Sequence, residues 1–172
     1  SPAVDLLSTI ACLRALGVGI ETSALGLTIS GVGQRRLTEA EDVLDAGNSA
    51  TTMRLLTGLL SAQPFLSIIT GDSSLRSRPM DRIIQPLRLM GAEVWGRKSD
   101  SLPPLVIRGR QLYGIYYRLP IPSAQLKSVL LLAGLSAAGE TTIEEPVLSR
   151  DHTERMLKEM GAKIKVEGKC IT

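Results

Sequence analysis

At 172 residues the chain is long enough for one domain with a real hydrophobic core. It is 44% hydrophobic and 22% charged, which excludes a disordered polymer, and only 3% aromatic, which argues against a base-stacking surface for single-stranded nucleic acid. The formal net charge is +3 with no basic run, and most basic residues are arginine, the better bidentate partner of phosphate and carboxylate.

The first element is an apolar helical pattern over residues 3–16, in which Cys12 reads as a buried thiol. Gly17 stops it, because glycine accepts the left-handed conformation that a helix end often needs. Strands are predicted near 18–22 and 25–30. Gly31-Val32-Gly33 then forms a strand-end turn with no helix after it, so a dinucleotide-binding reading is weak. Cys12 and Cys170 are the only cysteines and define neither a metal spacing nor a disulfide. No apolar run approaches a membrane span and no signal peptide is visible, so no membrane partner is expected and the cytoplasm is the expected location. The few aromatics and scattered charge make nucleic acid an unexpected partner too.

The next stretch is the most informative. A strand near 42–45 leads through Asp45-Ala46-Gly47-Asn48-Ser49-Ala50-Thr51 into a helix predicted over 48–62, with Arg54 early in it. Small residues at a helix start leave free N–H groups pointing outward, where the helix dipole favours negative charge. Asn48, Ser49 or Thr51 can cap the helix, and an ordinary capped strand–turn–helix remains the plainer alternative. A strand at 65–70, a helix at 78–90 with Pro79 in its first turn, and strands at 92–97 and 104–108 complete the unit.

The pattern then repeats. Strand 114–119, helix 123–137, strand 140–145, helix 150–160 and strand 162–167 follow, and Cys170-Ile171-Thr172 begins a last strand. The glycines Gly17, Gly91 and Gly161 each stop an amphipathic helix before a strand, at spacings of 74 and 70 residues. Gly58 and Gly134, in the helices that open each full unit, recur at a similar distance. The chain thus reads as a single α/β domain, 1–172, built as a pseudo-threefold repeat of β-α-β-α-β-β units. The units are an incomplete 1–40, then 41–111 and 112–172. The first lacks its opening strand and helix, which should leave apolar surface exposed, as in a piece of a longer protein. A small protein with a degenerate first repeat is the alternative.

If the units surround a pseudo-threefold axis, their opening helices converge. Pro122-Ser123-Ala124-Gln125 starts the second such helix as Asn48-Ser49-Ala50-Thr51 starts the first. Arg78 precedes one later helix and Arg150 stands at the matching place in the next unit. Several positive helix ends and two arginines make a receptor for a phosphorylated, carboxylated substrate. Taken alone, Ser123 is a plain cap. His152, the only histidine, sits between Asp151 and Glu154 and reads as structural or solvated. No Ser–His–Asp set, metal cluster or Walker loop is present.

The segments Asn48-Ser49-Ala50-Thr51-Thr52-Met53-Arg54-Leu55, Arg78-Pro79-Met80, Pro122-Ser123-Ala124-Gln125-Leu126-Lys127-Ser128 and Ser149-Arg150-Asp151-His152-Thr153-Glu154 together resemble 5-enolpyruvylshikimate-3-phosphate synthases. The resemblance covers essentially the whole chain, in order. It implies most of one domain of the two-domain, inside-out α/β barrel of the enolpyruvyl transferases. It also implies transfer of the enolpyruvyl group of phosphoenolpyruvate to shikimate 3-phosphate, with no metal or organic cofactor, in aromatic amino acid biosynthesis. The acidic catalytic residues belong to the second domain, a required partner, so no catalytic set is complete here. By motif match, Ser123, Ala124 and Gln125 should contact shikimate 3-phosphate and Arg150 its phosphate. Ala50 and Arg78 should border phosphoenolpyruvate, with Gln125 touching both ligands, and Asn48, Thr51, Arg54 and Ser149 in support. One departure stands out: most members have glycine where this chain has Ala50. The added methyl should hinder glyphosate more than phosphoenolpyruvate. A non-catalytic module that binds shikimate 3-phosphate is the alternative for the isolated chain.

Overall fold

A computed structural model describes residues 4–24, 26–33 and 36–172. Helix α1 (Val4–Ala15) leads into the antiparallel hairpin β1 (Gly19–Ser23) and β2 (Gly26–Ser30). Gly17 takes φ +86° at the helix end, the left-handed position expected of it. Cys12 is buried, and burial, reinforced by Asp45, pushes its thiol up to about 11, so it behaves as a packed apolar side chain.

The two following units share one topology. In the first, β3 (Leu44–Asp45), α2 (Ala50–Leu60), β4 (Leu66–Thr70), α3 (Asp81–Leu89), β5 (Glu93–Gly96) and β6 (Leu102–Arg108) make a sheet of order β3-β4-β6-β5. A left-handed turn labelled α4 (Arg97–Asp100) joins its last two strands. In the second, β7 (Tyr116–Arg118), α5 (Ala124–Gly134), β8 (Thr142–Glu144), α6 (His152–Glu159), β9 (Val166–Glu167) and β10 (Cys170–Ile171) make a sheet of order β7-β8-β10-β9. In both sheets the first pair is parallel and the other two are antiparallel. The β1–β2 hairpin matches the closing hairpin of each later unit. The predicted repeat is therefore present in the strand pairing itself.

Residues from helices and sheets form one buried cluster, including Leu16, Met53, Ile69, Ile84, Leu105 and Leu130. Helices α2 and α5 meet along one close seam of it. A Cβ added to Gly58 would stand 2.6 Å from the Val129 carbonyl oxygen, so only glycine allows this approach. Gly134 faces Thr141 instead. Counted from the caps Ser49 and Ser123, Gly58 corresponds to Leu132, so the resemblance between the two glycines is not a structural equivalence.

Other boundaries shift for local reasons. Pro79 does not open α3. A 3₁₀ turn at Leu75–Ser77 comes first, Arg78 is extended (φ −83°, ψ 134°), and Met80, which makes no side-chain cap, precedes a helix that begins at Asp81. A proline disfavours helical backbone in the residue before it, which keeps Arg78 out of either helix. Helix α5 ends at Gly134, short of the predicted 137, and β9 begins at Val166 rather than 162. No helix among the described residues is long and apolar enough to cross a membrane.

Candidate functional site

Both opening helices are capped by serine. Ser49 Oγ accepts from the Thr52 amide at 3.1 Å, and Ser123 Oγ accepts from the Leu126 amide at 3.2 Å. Asn48 and Thr51, the other capping candidates, do different work. Thr51 Oγ1 accepts from Gln125 Nε2 at 3.1 Å, and the Gln125 Oε1 accepts from Arg54. The two helix starts are therefore joined side chain to side chain from one unit to the next. Ala50 is the first residue of α2 and Ala124 the first of α5, and both are half-buried.

Arg54 also donates to the Pro79 carbonyl at 2.9 Å, which ties the Arg78-Pro79 connection to the same cluster. Burial first, then the nearby Arg78 and Arg82, push the Arg54 guanidinium below its usual range. Those neighbours show how cationic this face is. An anion placed there would relieve the mutual repulsion.

Arg78 donates to Asn48 Oδ1 at 2.7 Å, and Asn48 Nδ2 donates to Asp72 Oδ2 at 2.7 Å. Asp72 Oδ1 accepts from the Leu75 amide at 2.7 Å, and this bond, with that of Asn48, holds its carboxyl below the ordinary carboxylate range. The chain path makes these bonds possible. The Asp72 amide donates to the Gly47 carbonyl at 2.8 Å, and a Cβ on Gly71 would stand 2.4 Å from that same oxygen. Gly47 itself has φ +56°.

Arg150 is exposed and makes no hydrogen bond or ion pair within the described residues. Its neighbour Ser149 is held tightly: its amide donates to Glu145 Oε1 at 3.2 Å, and its hydroxyl donates to the same oxygen. His152, the first residue of α6, is exposed, as read from the sequence.

The sequence reading missed what lies under this connection. Lys127 is 1% exposed, with its Nζ 2.9 Å from Glu145 Oε2 and 2.5 Å from Glu154 Oε1. Glu145 and Glu154 are themselves buried. Ser128 Oγ meets Thr153 Oγ1 at 2.7 Å, one further link between α5 and α6. A signal was available: a lysine followed by Ser128-Val129-Leu130-Leu131 lies within a helix that is otherwise core, and such a cation requires a buried partner.

The arrangement is that of an α/β repeat domain presenting two joined helix N-termini beneath a set of guanidinium groups, a face suited to small anions. The family model for EPSP synthase (3-phosphoshikimate 1-carboxyvinyltransferase) matches residues 2–171, and the chain belongs to that family. It is 55% identical over 172 residues to the 3-phosphoshikimate 1-carboxyvinyltransferase of Desulforudis audaxviator, covering 99% of this chain and 40% of that protein. It is 56% identical over 165 residues to the one from Gloeothece citriformis, covering 93% of this chain and 36% of that protein. Among solved structures, EPSP synthase from Acinetobacter baumannii superposes with a TM-score of 0.96 at 51% identity, covering 99% of this chain and 39% of that one. The chain thus spans about two fifths of the length of the curated relatives it matches.

Proposed function

We propose that this chain supplies one half of the active site of an enolpyruvyl transferase that moves the enolpyruvyl group of phosphoenolpyruvate onto the 5-hydroxyl of shikimate 3-phosphate, releasing phosphate. Ser123, Ala124 and Gln125 hold shikimate 3-phosphate, and Arg150 pairs with its phosphate. Ala50 and Arg78 border phosphoenolpyruvate, and Gln125 reaches both ligands. Asn48 and Arg54 orient Arg78 and Gln125, Thr51 steadies Gln125, and Ser149 anchors the connection bearing Arg150. The observation that carries this reading is the Arg54–Gln125–Thr51 set, which fuses two capped helix starts into one cationic face.

The reaction is an addition followed by an elimination. A base removes the hydroxyl proton, an acid protonates the methylene carbon, and cations stabilise the phosphate charge. The acid and base come from the second domain, whose closure completes the site and excludes water. The isolated chain accordingly binds shikimate 3-phosphate without turnover. Its place of action is the cytoplasm.

Ala50 adds a methyl group beside the phosphoenolpyruvate position at the first residue of α2. Glyphosate is longer than phosphoenolpyruvate and meets that methyl, at a steric cost of about 1–3 kcal/mol. The complete enzyme is therefore glyphosate-tolerant.

One hybrid tests both statements: this chain joined to the remainder of the Acinetobacter baumannii enzyme. The hybrid should release phosphate from the two substrates, and Arg150→Ala should raise the KM for shikimate 3-phosphate. Ala50→Gly should lower the glyphosate inhibition constant by at least fivefold, corresponding to about 1 kcal/mol. A folded hybrid without turnover would overturn the transferase reading. Unchanged inhibition after Ala50→Gly would overturn tolerance alone.

A further inference from the structure

A buried charged cluster lies beneath Ser149. Counted from the helix caps, Lys127 in α5 holds the place that Met53 holds in α2, and both are essentially fully buried. The matching position in the sister unit is thus apolar, and buried ion clusters replaced by apolar residues of similar size are often no less stable. What the lysine adds is a grip on one connection. Glu145 binds Lys127 through Oε2 and both Ser149 donors through Oε1. Glu154 binds Lys127 through Oε1, while its buried Oε2 has no hydrogen-bond partner among the described residues. One cation therefore holds two carboxylates, one at each end of the segment 145–154. Thr153 is tied to Ser128, whose hydroxyl also donates to the Ala124 carbonyl at 2.8 Å. Arg150 lies between these anchors, its side chain exposed and without a partner among the described residues, so its placement depends on the backbone they hold.

We propose that Lys127 is a positioning residue: from within α5 it binds Glu145 and Glu154, fixes the connection between β8 and α6, and so sets where Arg150 meets the phosphate of shikimate 3-phosphate. The inference rests on the substrate reading given above. It makes the helix that starts the shikimate 3-phosphate cradle also the element that registers the arginine against it.

The test compares the chain with its triple variant Lys127→Met/Glu145→Leu/Glu154→Leu, which removes every charge and keeps the volume. Thermal unfolding, amide hydrogen exchange and calorimetric titration with shikimate 3-phosphate are measured on both. The expected result is an unfolding midpoint at or above that of the parent, with exchange at the Ser149 amide about tenfold faster and shikimate 3-phosphate bound about tenfold more weakly. Loss of the Glu145 acceptor by itself speeds exchange at Ser149, so the affinity decides: a purely structural role would leave shikimate 3-phosphate binding unmoved in a folded variant. Unchanged exchange at Ser149, or unchanged affinity, would overturn the inference. A parent chain that binds no shikimate 3-phosphate would instead overturn the substrate reading, while exchange at Ser149 still reports whether the cluster grips the connection. Should the triple variant not fold, Ser149→Ala removes only the hydroxyl link. Faster exchange across 146–151 and weaker binding support the inference, and parent-like values for either overturn it.

Discussion

Helices α2 and α5 each run for 11 residues from a serine cap, and each begins with alanine. They differ from the second helical position on, and the change that alters the core is at the fourth, where α2 places Met53 and α5 places Lys127. The later connections differ correspondingly. In the unit of α2, Arg78 is held by exposed hydrogen bonds through Asn48 and Asp72. In the unit of α5, Arg150 has no side-chain partner among the described residues and its backbone is held from beneath by buried charge. Two repeats with one strand topology thus hold their arginine-bearing connections by opposite means. Exposed bonds are individually weak and adjust when a ligand arrives, whereas a buried ion cluster is rigid and costly to break. The comparison teaches that repeat symmetry governs the backbone, while the polar side chains that fix each arginine are chosen unit by unit.

The largest expected effect breaks the buried side alone. Lys127→Met leaves two buried carboxylates without a cation and should destabilise the chain by roughly 3–5 kcal/mol, read by urea unfolding. A loss below about 1 kcal/mol would mean that the cluster is not a buried ion network. The seam that joins the two units comes next. Gly58→Ala drives a methyl group into the Val129 carbonyl and should cost roughly 1–3 kcal/mol, and it should also disturb the Gln125 side-chain amide signal, because the two helix starts separate. Smaller again, and equal on the two sides, are the caps. Ser49→Ala and Ser123→Ala should each cost about 1 kcal/mol, and a large inequality would show that one helix start carries more than a cap.

The smallest effect sharpens the exposed side. The Asp72 carboxyl is held below its ordinary value by the Leu75 amide and Asn48. Its ionised form therefore favours the folded state, fully so above the unfolded carboxyl pKa of about 3.9, and the contribution is lost as pH falls through the lower folded value. Asp72→Asn should show a shallower loss of stability in that acid range than the parent chain. Superimposable acid profiles would contradict this assignment.

Much of this was legible in the sequence. Glycine-stopped helices, alternating strands and capped helix starts come from local rules that need no tertiary knowledge, and they carried the repeat and its topology. The candidate residues Asn48, Ala50, Thr51, Arg54, Arg78, Ser123, Ala124, Gln125, Ser149 and Arg150 fall at two helix starts and the two connections near them, because backbone direction places them there. The sequence did not show which polar groups pair across the fold. Gln125 meets Arg54 and Thr51 from a different unit, and Lys127 meets Glu145 and Glu154 beyond the reach of any local pattern. The cap at Ser49 rather than Asn48 depended on Asp72 and Arg78 claiming the asparagine. The correspondence of Gly58 with Gly134 failed because spacing cannot report which face of a helix a glycine presents.

The central claim is that two helix starts and Arg150 form one receptor. An amide correlation spectrum of this chain, recorded with and without shikimate 3-phosphate, tests it most directly. The expected result is dispersed signals with ligand-induced shifts concentrated at Ser123, Gln125 and Arg150. Dispersed signals that do not respond to shikimate 3-phosphate would contradict it.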